Sequence, residues 1–260
     1  MTTNVDLQAY LDRIGYRGSL EPTLATLTAL MRAHMIAIPF EGLDVLLGRG
    51  VRLDLPSIQA KLIGACRGGY CYEHVTLFAA VLEALGFTLF RHSARVVLFT
   101  PLEESPTTHM FVTVDLPEGR YVADPGFGGP AATVPVPMSG ELVGTHRVVQ
   151  EGDHWALLDD GRPAWYSRMR VDYPIDFEMG NHFVATHRSS PFVQLILMSR
   201  FTENGRVSVM NRDVKIIDGG ETRTYQLADR AALRAFLVEH FGFDLPEAET
   251  LRVPAIPEWE

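Results

Sequence analysis

The chain has 260 residues, 47% of them apolar and 21% charged, a globular balance that can bury a core without disulfides or structural metal. Its formal net charge of −9, with no stretch that gathers Lys or Arg on one face, argues against a nucleic-acid partner. No apolar run approaches the length of a membrane span, the longest being 192–198, and residues 1–10 lack the basic leader and apolar stretch of a signal peptide.

The first third reads helical. Leu7, Tyr10, Leu11 and Ile14 recur at helical spacing, and 22–36 sets Leu24, Leu27, Leu30 and Met31 on one stripe, with Pro22 suited to a first turn. A third helix is expected over 56–63, entered through Asp54 or Leu55, and a fourth over 71–85, stopped by Gly86. From Thr88 the period shortens to two. Strands are expected over 90–99, 110–116, 120–123, 147–150, 154–158 and 164–171, with Pro117-Glu118-Gly119 as a tight turn. After a connection at 173–176 come strand-like runs at 192–201, 206–211 and 222–227, then an amphipathic helix over 229–240. The expected fold is α+β: a helical bundle over 1–87, an antiparallel β-barrel over 88–175 and an α/β lid over 176–260.

Cys66 and Cys71 are the only cysteines, and a disulfide across so short a loop is a poor staple, which points to a reducing cytoplasm. In Arg67-Gly68-Gly69-Tyr70-Cys71-Tyr72-Glu73-His74, two glycines allow a sharp entry into the fourth helix. Cys71 falls in its first turn, where backbone N–H groups and the helix dipole favour a thiolate. Cys66 reads instead as a small buried hydrophobe. Cys66, Cys71 and His74 are too few and too divergent for a zinc site, so no metal is expected.

A thiol nucleophile needs a base and the base an orienting group. His109 opens the strand that continues through Phe111, Val112, Thr113 and Val114, and Asp124 ends the next one. With the turn at 117–119, antiparallel pairing brings both to one edge of the sheet. Taken singly, Asp124 reads as a turn residue and His109 as an edge residue; with Cys71 they read as a triad.

These motifs are similar to those of the arylamine N-acetyltransferases: 67–73 around the cysteine, Thr108-His109-Met110, and Tyr121-Val122-Ala123-Asp124-Pro125-Gly126-Phe127-Gly128. Ile38-Pro39-Phe40-Glu41-Gly42-Leu43, Asp176-Phe177-Glu178 with Asn181, and Thr186-His187-Arg188-Ser189-Ser190-Pro191-Phe192 extend the resemblance along the chain, while the part after Arg200 matches weakly. The resemblance implies a cysteine-protease-like core. It also implies a ping-pong transfer of acetyl from acetyl-CoA, as co-substrate, to arylamines, arylhydrazines or related amines, in xenobiotic metabolism. It implies Cys71, His109 and Asp124 as catalytic residues, Phe40, Thr108, Phe127 and Phe201 around the acceptor, and Ser105, Gly126 and Gly128 along CoA. The chain departs from the family pattern at His74 and Val75, where Gln and Asn are common. It departs again at Pro125, which removes a backbone donor after Asp124, and at Arg188-Ser189-Ser190, where Pro-Asp-Ser is usual. Two other readings stay open: a cysteine hydrolase or transglutaminase-like enzyme built on the same triad, and a CoA- or aromatic-ligand-binding protein without turnover.

Overall fold

The computed structural model describes residues 5–259. Its N-terminal helices are short and marginal alone, and side chains start them. Asp6 accepts from Ala9 N to open α1 (Leu7–Arg13), and Thr23 accepts from Thr26 N to open α2 (Leu24–Ala37). Pro22 therefore lies ahead of the cap instead of inside the first turn. A two-residue strand, β1 (Phe40–Glu41), leads to α3 (Leu43–Leu46). Helix α4 (Leu55–Gln59) is capped by Asp54 and runs on through a π turn to Gly64. Helix α5 (Cys71–Ala84) is buried nearly all round, as a central helix must be, with Val75, Leu77, Phe78, Ala79, Val81 and Leu82 packed on every side.

Seven antiparallel strands follow: β2 (Thr88–Val96), β3 (Thr107–Leu116), β4 (Gly119–Ala123), β5 (Val136–Pro137), β6 (His146–Glu151), β7 (His154–Asp159) and β8 (Arg162–Ser167), in the order β5-β4-β3-β2-β8-β7-β6. The sheet curls until β5 and β6 lie side by side, so the barrel is nearly closed. Strand β2 stops short of the expected 99: a bulge at Ala94/Arg95 twists it, and Phe99 leaves the sheet 78% exposed. Strand β8 ends at Ser167, whose hydroxyl bonds Ser93 O at 2.8 Å, before Met169 takes a left-handed φ of 52°.

The expected connection at 173–176 is the start of a helix, α6 (Pro174–Thr186). Its stripe escapes a core-seeking reading because Ile175 and Met179 face solvent, while Phe177, Gly180, Asn181 and Val184 are the buried face. Residues 192–196 begin as a 3-10 turn at Pro191 rather than as strand, and β9 is Leu197–Phe201. Then come β10 (Gly205–Met210), β11 (Asp213–Asp218) and β12 (Glu221–Gln226). Strand β11 was not expected; it forms because Asn211 accepts φ +56°, which closes a tight hairpin onto β10. Helix α7 (Arg230–Phe236) continues as a π turn to Phe241 and ends at Gly242 in the left-handed region. One core lies between the first helices and the barrel, and a second between the later strands and the C-terminal helices.

Strand β1 ties the two together. Phe40 pairs with Ser199 and Glu41 with Met198, so residues from the helical third form the edge of the sheet β1-β9-β10-β11-β12. Beneath it, Arg67 bonds Glu41 at 2.6 and 3.0 Å and Asp44 at 3.1 Å, and Lys61 bonds Asp44 at 2.7 Å and Glu73 at 2.8 Å. All five side chains are largely buried, and each charge depends on its neighbours to offset lost hydration.

A second buried polar chain runs through α1, α2 and α5. The Tyr10 hydroxyl meets His34 Nδ1 at 3.0 Å, His34 Nε2 meets His74 Nδ1 at 2.8 Å, and His74 Nε2 meets Pro39 O at 3.1 Å. A carbonyl only accepts, so His74 Nε2 carries hydrogen and its Nδ1 accepts from His34 Nε2–H; His34 Nδ1 then accepts from Tyr10. Every partner is satisfied with both rings neutral. Burial holds His74 at about 4 and His34 well below its ordinary value.

Two outcomes follow for stability. Glu41→Gln leaves the Arg67 guanidinium buried with Asp44 alone, and unfolding in urea should show a loss of about 3–5 kcal/mol. The depressed histidines act on pH dependence. Between about pH 6.5 and 4 the unfolded chain binds a proton that native His74 refuses, so stability falls as pH drops, by about 1.4 kcal/mol per pH unit for that ring, and His34 acts in the same direction. His74→Gln can accept from His34 and donate to Pro39 O while removing one titrating ring. Urea midpoints at pH 7, 6 and 5 should fall less steeply in that variant than in the parent chain.

Candidate active site

The loop before α5 is held from both sides. Gly69 N donates to Pro39 O at 3.2 Å, Glu41 N donates to Gly69 O at 2.8 Å, and Tyr70 N donates to the Glu73 carboxylate at 3.1 Å. A Cβ on Gly68 would run into Pro39 O and the Glu41 side chain, so only glycine lets the loop pass under β1. The chain enters α5 in a single turn and leaves Cys71 in the helix's first residue, 5% exposed, with Sγ 3.9 Å from Thr108 O.

His109 comes from β3. Val112 pairs with Ala123, so Asp124 lies across from Phe111, and His109 is two residues back on the same face. The approach is diagonal rather than directly opposite, and it suffices: His109 Nε2 lies 2.8 Å from Asp124 Oδ2. The same oxygen accepts from Trp165 Nε1 at 3.1 Å, while Asp124 Oδ1 is buried without a hydrogen-bond partner among the described residues. Pro125 follows and has no N–H to offer it. Burial pulls the imidazole's pKa down, but the Asp124 carboxylate, and after it the Cys71 sulfur, outweigh this and push His109 up to about 10. A thiol beside an imidazolium held by a carboxylate is an arrangement suited to nucleophilic acyl chemistry.

These groups open into a cleft of 1090 Å³ between the barrel, the end of α6 and the second sheet. Cys71, His109, Phe40, Ser105, Thr108, Gly126 and Phe127 all line it. Phe127 packs on His109 with ring centroids 4.9 Å apart, and Phe40 stacks over His74 at 6.2 Å. Two expected residues lie elsewhere. Gly128, at φ +77°, packs against the Phe40 ring, and Phe201 lies under the Arg206 guanidinium, facing a side cavity of 310 Å³. Ser105 is at the cleft wall, but its hydroxyl is bonded to Thr100 O and Pro101 O. Gly126 has a structural duty as well: an added Cβ would lie 2.9 Å from both Cys71 Cα and Cys71 O.

Cys66 is exposed and not the buried hydrophobe expected of it, because its left-handed φ of 52° turns the loop outward before Arg67 dives inward. Sequence reasoning also missed Trp165. Trp165 sits in an expected strand, but only the order β3-β2-β8 brings its indole across the barrel to Asp124. Among the described residues, no cluster of three or more His, Cys, Asp or Glu side chains is placed to hold a metal, and no helix is long and apolar enough to cross a membrane.

Comparison with known proteins covers most of the chain. A family model described as N-acetyltransferase matches residues 23–250. The arylamine N-acetyltransferase of Escherichia coli K12 is 37% identical over 94% of this chain and 90% of its own length, and that of Mycolicibacterium smegmatis is 37% identical over 93% of each. Among solved structures, the arylamine N-acetyltransferase of Salmonella typhimurium superposes with a TM-score of 0.88 at 31% identity, covering 95% of this chain and 97% of its own. The Mycobacterium marinum arylamine N-acetyltransferase, solved in complex with CoA, gives 0.85 at 34% identity, covering 94% of each. The chain therefore belongs to the arylamine N-acetyltransferase family and is an acyltransferase.

Proposed function

We propose that this chain transfers acetyl from acetyl-CoA to aromatic amines or hydrazines by a ping-pong route through an acetyl-thioester on Cys71. The observation that carries this reading is the Cys71 thiol set in one cleft with an imidazole bonded at 2.8 Å to a buried carboxylate. CoA bound to the Mycobacterium marinum relative supports the donor.

In this reading His109 is protonated at neutral pH and pairs with the Cys71 thiolate, and Asp124 fixes the ring and its charge. The sulfur attacks the thioester carbonyl carbon. The N–H groups of Cys71 and Tyr72, in the first turn of α5 and outside its hydrogen-bond ladder, stabilise the oxyanion. The C–S bond to CoA breaks, and the His109 proton goes to the leaving sulfur. Neutral His109 then takes a proton from the amine as nitrogen attacks the acetyl-cysteine, and Cys71 leaves as thiolate beside the restored imidazolium. Phe40, Thr108 and Phe127 flank the acceptor, and Gly126 holds the backbone close to Cys71. Residues 1–87 supply the nucleophile, 88–175 the base and carboxylate, and 176–260 the wall that keeps water from the thioester. A free Cys71 thiol suits a reducing cytoplasm.

Intact mass after exposure to acetyl-CoA should show one added acetyl group in the parent chain and none in Cys71→Ser; an acetyl on Cys66 would reassign the nucleophile. Hydrolysis of acetyl-CoA without any amine, at the rate of transfer, would make the chain a hydrolase. Asp124→Asn keeps the side chain's size but withdraws the charge that raises His109, so transfer should fall about a thousandfold or more. Iodoacetamide labelling of Cys71 should slow in the same variant, with CoA binding little changed.

A further inference from the structure

Apolar side chains left in water gather at one place on this molecule. Of the eleven large apolar side chains exposed among the described residues, Val171, Tyr173, Ile175 and Met179 fall within 171–179, at the start of α6. Exposed apolar side chains scattered singly are ordinary, whereas a contiguous group marks a contact surface. Along the helix, Ile175, Met179, His182 and Thr186 recur at the spacing of one exposed stripe, and a groove of 490 Å³ runs beside them as far as His187. The helix cannot roll to hide this stripe. On its opposite face Asn181 accepts from the Tyr70 hydroxyl and donates to Val51 O at 2.9 Å, and a Cβ added to Gly180 would strike the Tyr72 hydroxyl.

The polar groups of this face are unpaired as well. Glu178, His182 and Arg188 make no ion pair and no side-chain hydrogen bond among the described residues. Exposed arginines elsewhere, such as Arg17, Arg32 and Arg120, each hold a carboxylate of their own chain. The order of these groups is directional: Asp176 and Glu178 lie in the first half of α6, His182 in the second, and His187 and Arg188 just beyond it. Turned end for end, the face matches itself. Two carboxylates on one face, in a chain of net charge −9, disfavour an anionic lipid surface.

We propose that α6 is a self-docking surface, on which a second copy of this chain packs its own α6 antiparallel. The two-fold axis lies level with the midpoint between Met179 and His182. Ile175 of one copy then faces Thr186 of the other, and Met179 faces His182. Glu178 comes beside the second copy's His182 and Asp176 beside its His187, and the symmetry makes each contact twice. Phe183 borders both this groove and the cleft, which puts the contact at the lip of the site. The 13 residues of α6 span about 20 Å, a contact at the low end of interface size. Association is therefore concentration-dependent, with a Kd on the order of tens of micromolar.

Sedimentation velocity from about 5 to about 500 μM should show the average mass rising from one chain toward two. Met179→Glu sets a carboxylate in the stripe and should weaken association at least about tenfold. Its thermal midpoint should be unchanged, because Met179 is exposed. Orientation is read by crosslinking in a Cys66→Ser background. Under mild oxidation, Ile175→Cys chains mixed with Thr186→Cys chains should give mixed disulfide dimers. Neither variant alone should, since positions 175 and 186 lie about 16 Å apart along the helix axis. A single-chain mass at every loading would overturn the proposal. So would association untouched by Met179→Glu, or crosslinking of Ile175→Cys to itself. Co-sedimentation with phosphatidylglycerol vesicles, without self-association, would assign the face to a membrane and overturn it as well.

Discussion

Much of this structure hangs on one carbonyl. Pro39 O accepts from Gly69 N in the loop before Cys71 and from His74 Nε2 on the helix after it. The residues that follow, Phe40 and Glu41, form the edge of the second sheet. Sheet, loop and helix are thus fixed to one point. The buried charges of Glu41, Asp44, Lys61, Arg67 and Glu73 clamp the same loop from below. A cysteine at a helix start is common chemistry; one whose backbone is held this tightly keeps its sulfur aligned with a base from another layer.

The base is positioned by a different logic. His109 and Asp124 come from one hairpin, so their approach is local, but the environment that makes the pair work is not. Trp165 crosses the barrel to donate to the carboxylate, and Phe111 stacks on the indole at 4.4 Å. Dry surroundings disfavour an isolated imidazolium, and only the adjacent negative groups reverse this. The carboxylate also keeps one unbonded oxygen where Pro125 supplies no donor, so its charge is not shared with the backbone at that turn.

What the sequence discloses follows from how local each feature is. The strands from Thr88 to Ala123 and the turn at 117–119 are legible because period-two patterning and turn chemistry act over a few residues. The meeting of His109 with Asp124 follows from hairpin length alone. Helix α6 is hidden because Ile175 and Met179 face outward, and β11 because its hairpin relies on a left-handed asparagine. Trp165 and the displacement of Phe201 from the cleft depend on which strands become neighbours, and no window of sequence contains that. Cys66 was misjudged because general cysteine statistics say nothing of a left-handed backbone.

The position of β1 has a consequence for how the molecule comes apart. Its two residues are hydrogen-bonded into the sheet that covers the second core, while Ile38 just before them belongs to the first. Neither core can melt alone without tearing that edge pair, because the chain linking them has no slack. The two hydrophobic cores are therefore coupled through this edge. Loosening of the C-terminal layer would pull Phe40 from the cleft wall and strain the cysteine loop at once, so local breathing far from the thiol registers at the thiol itself.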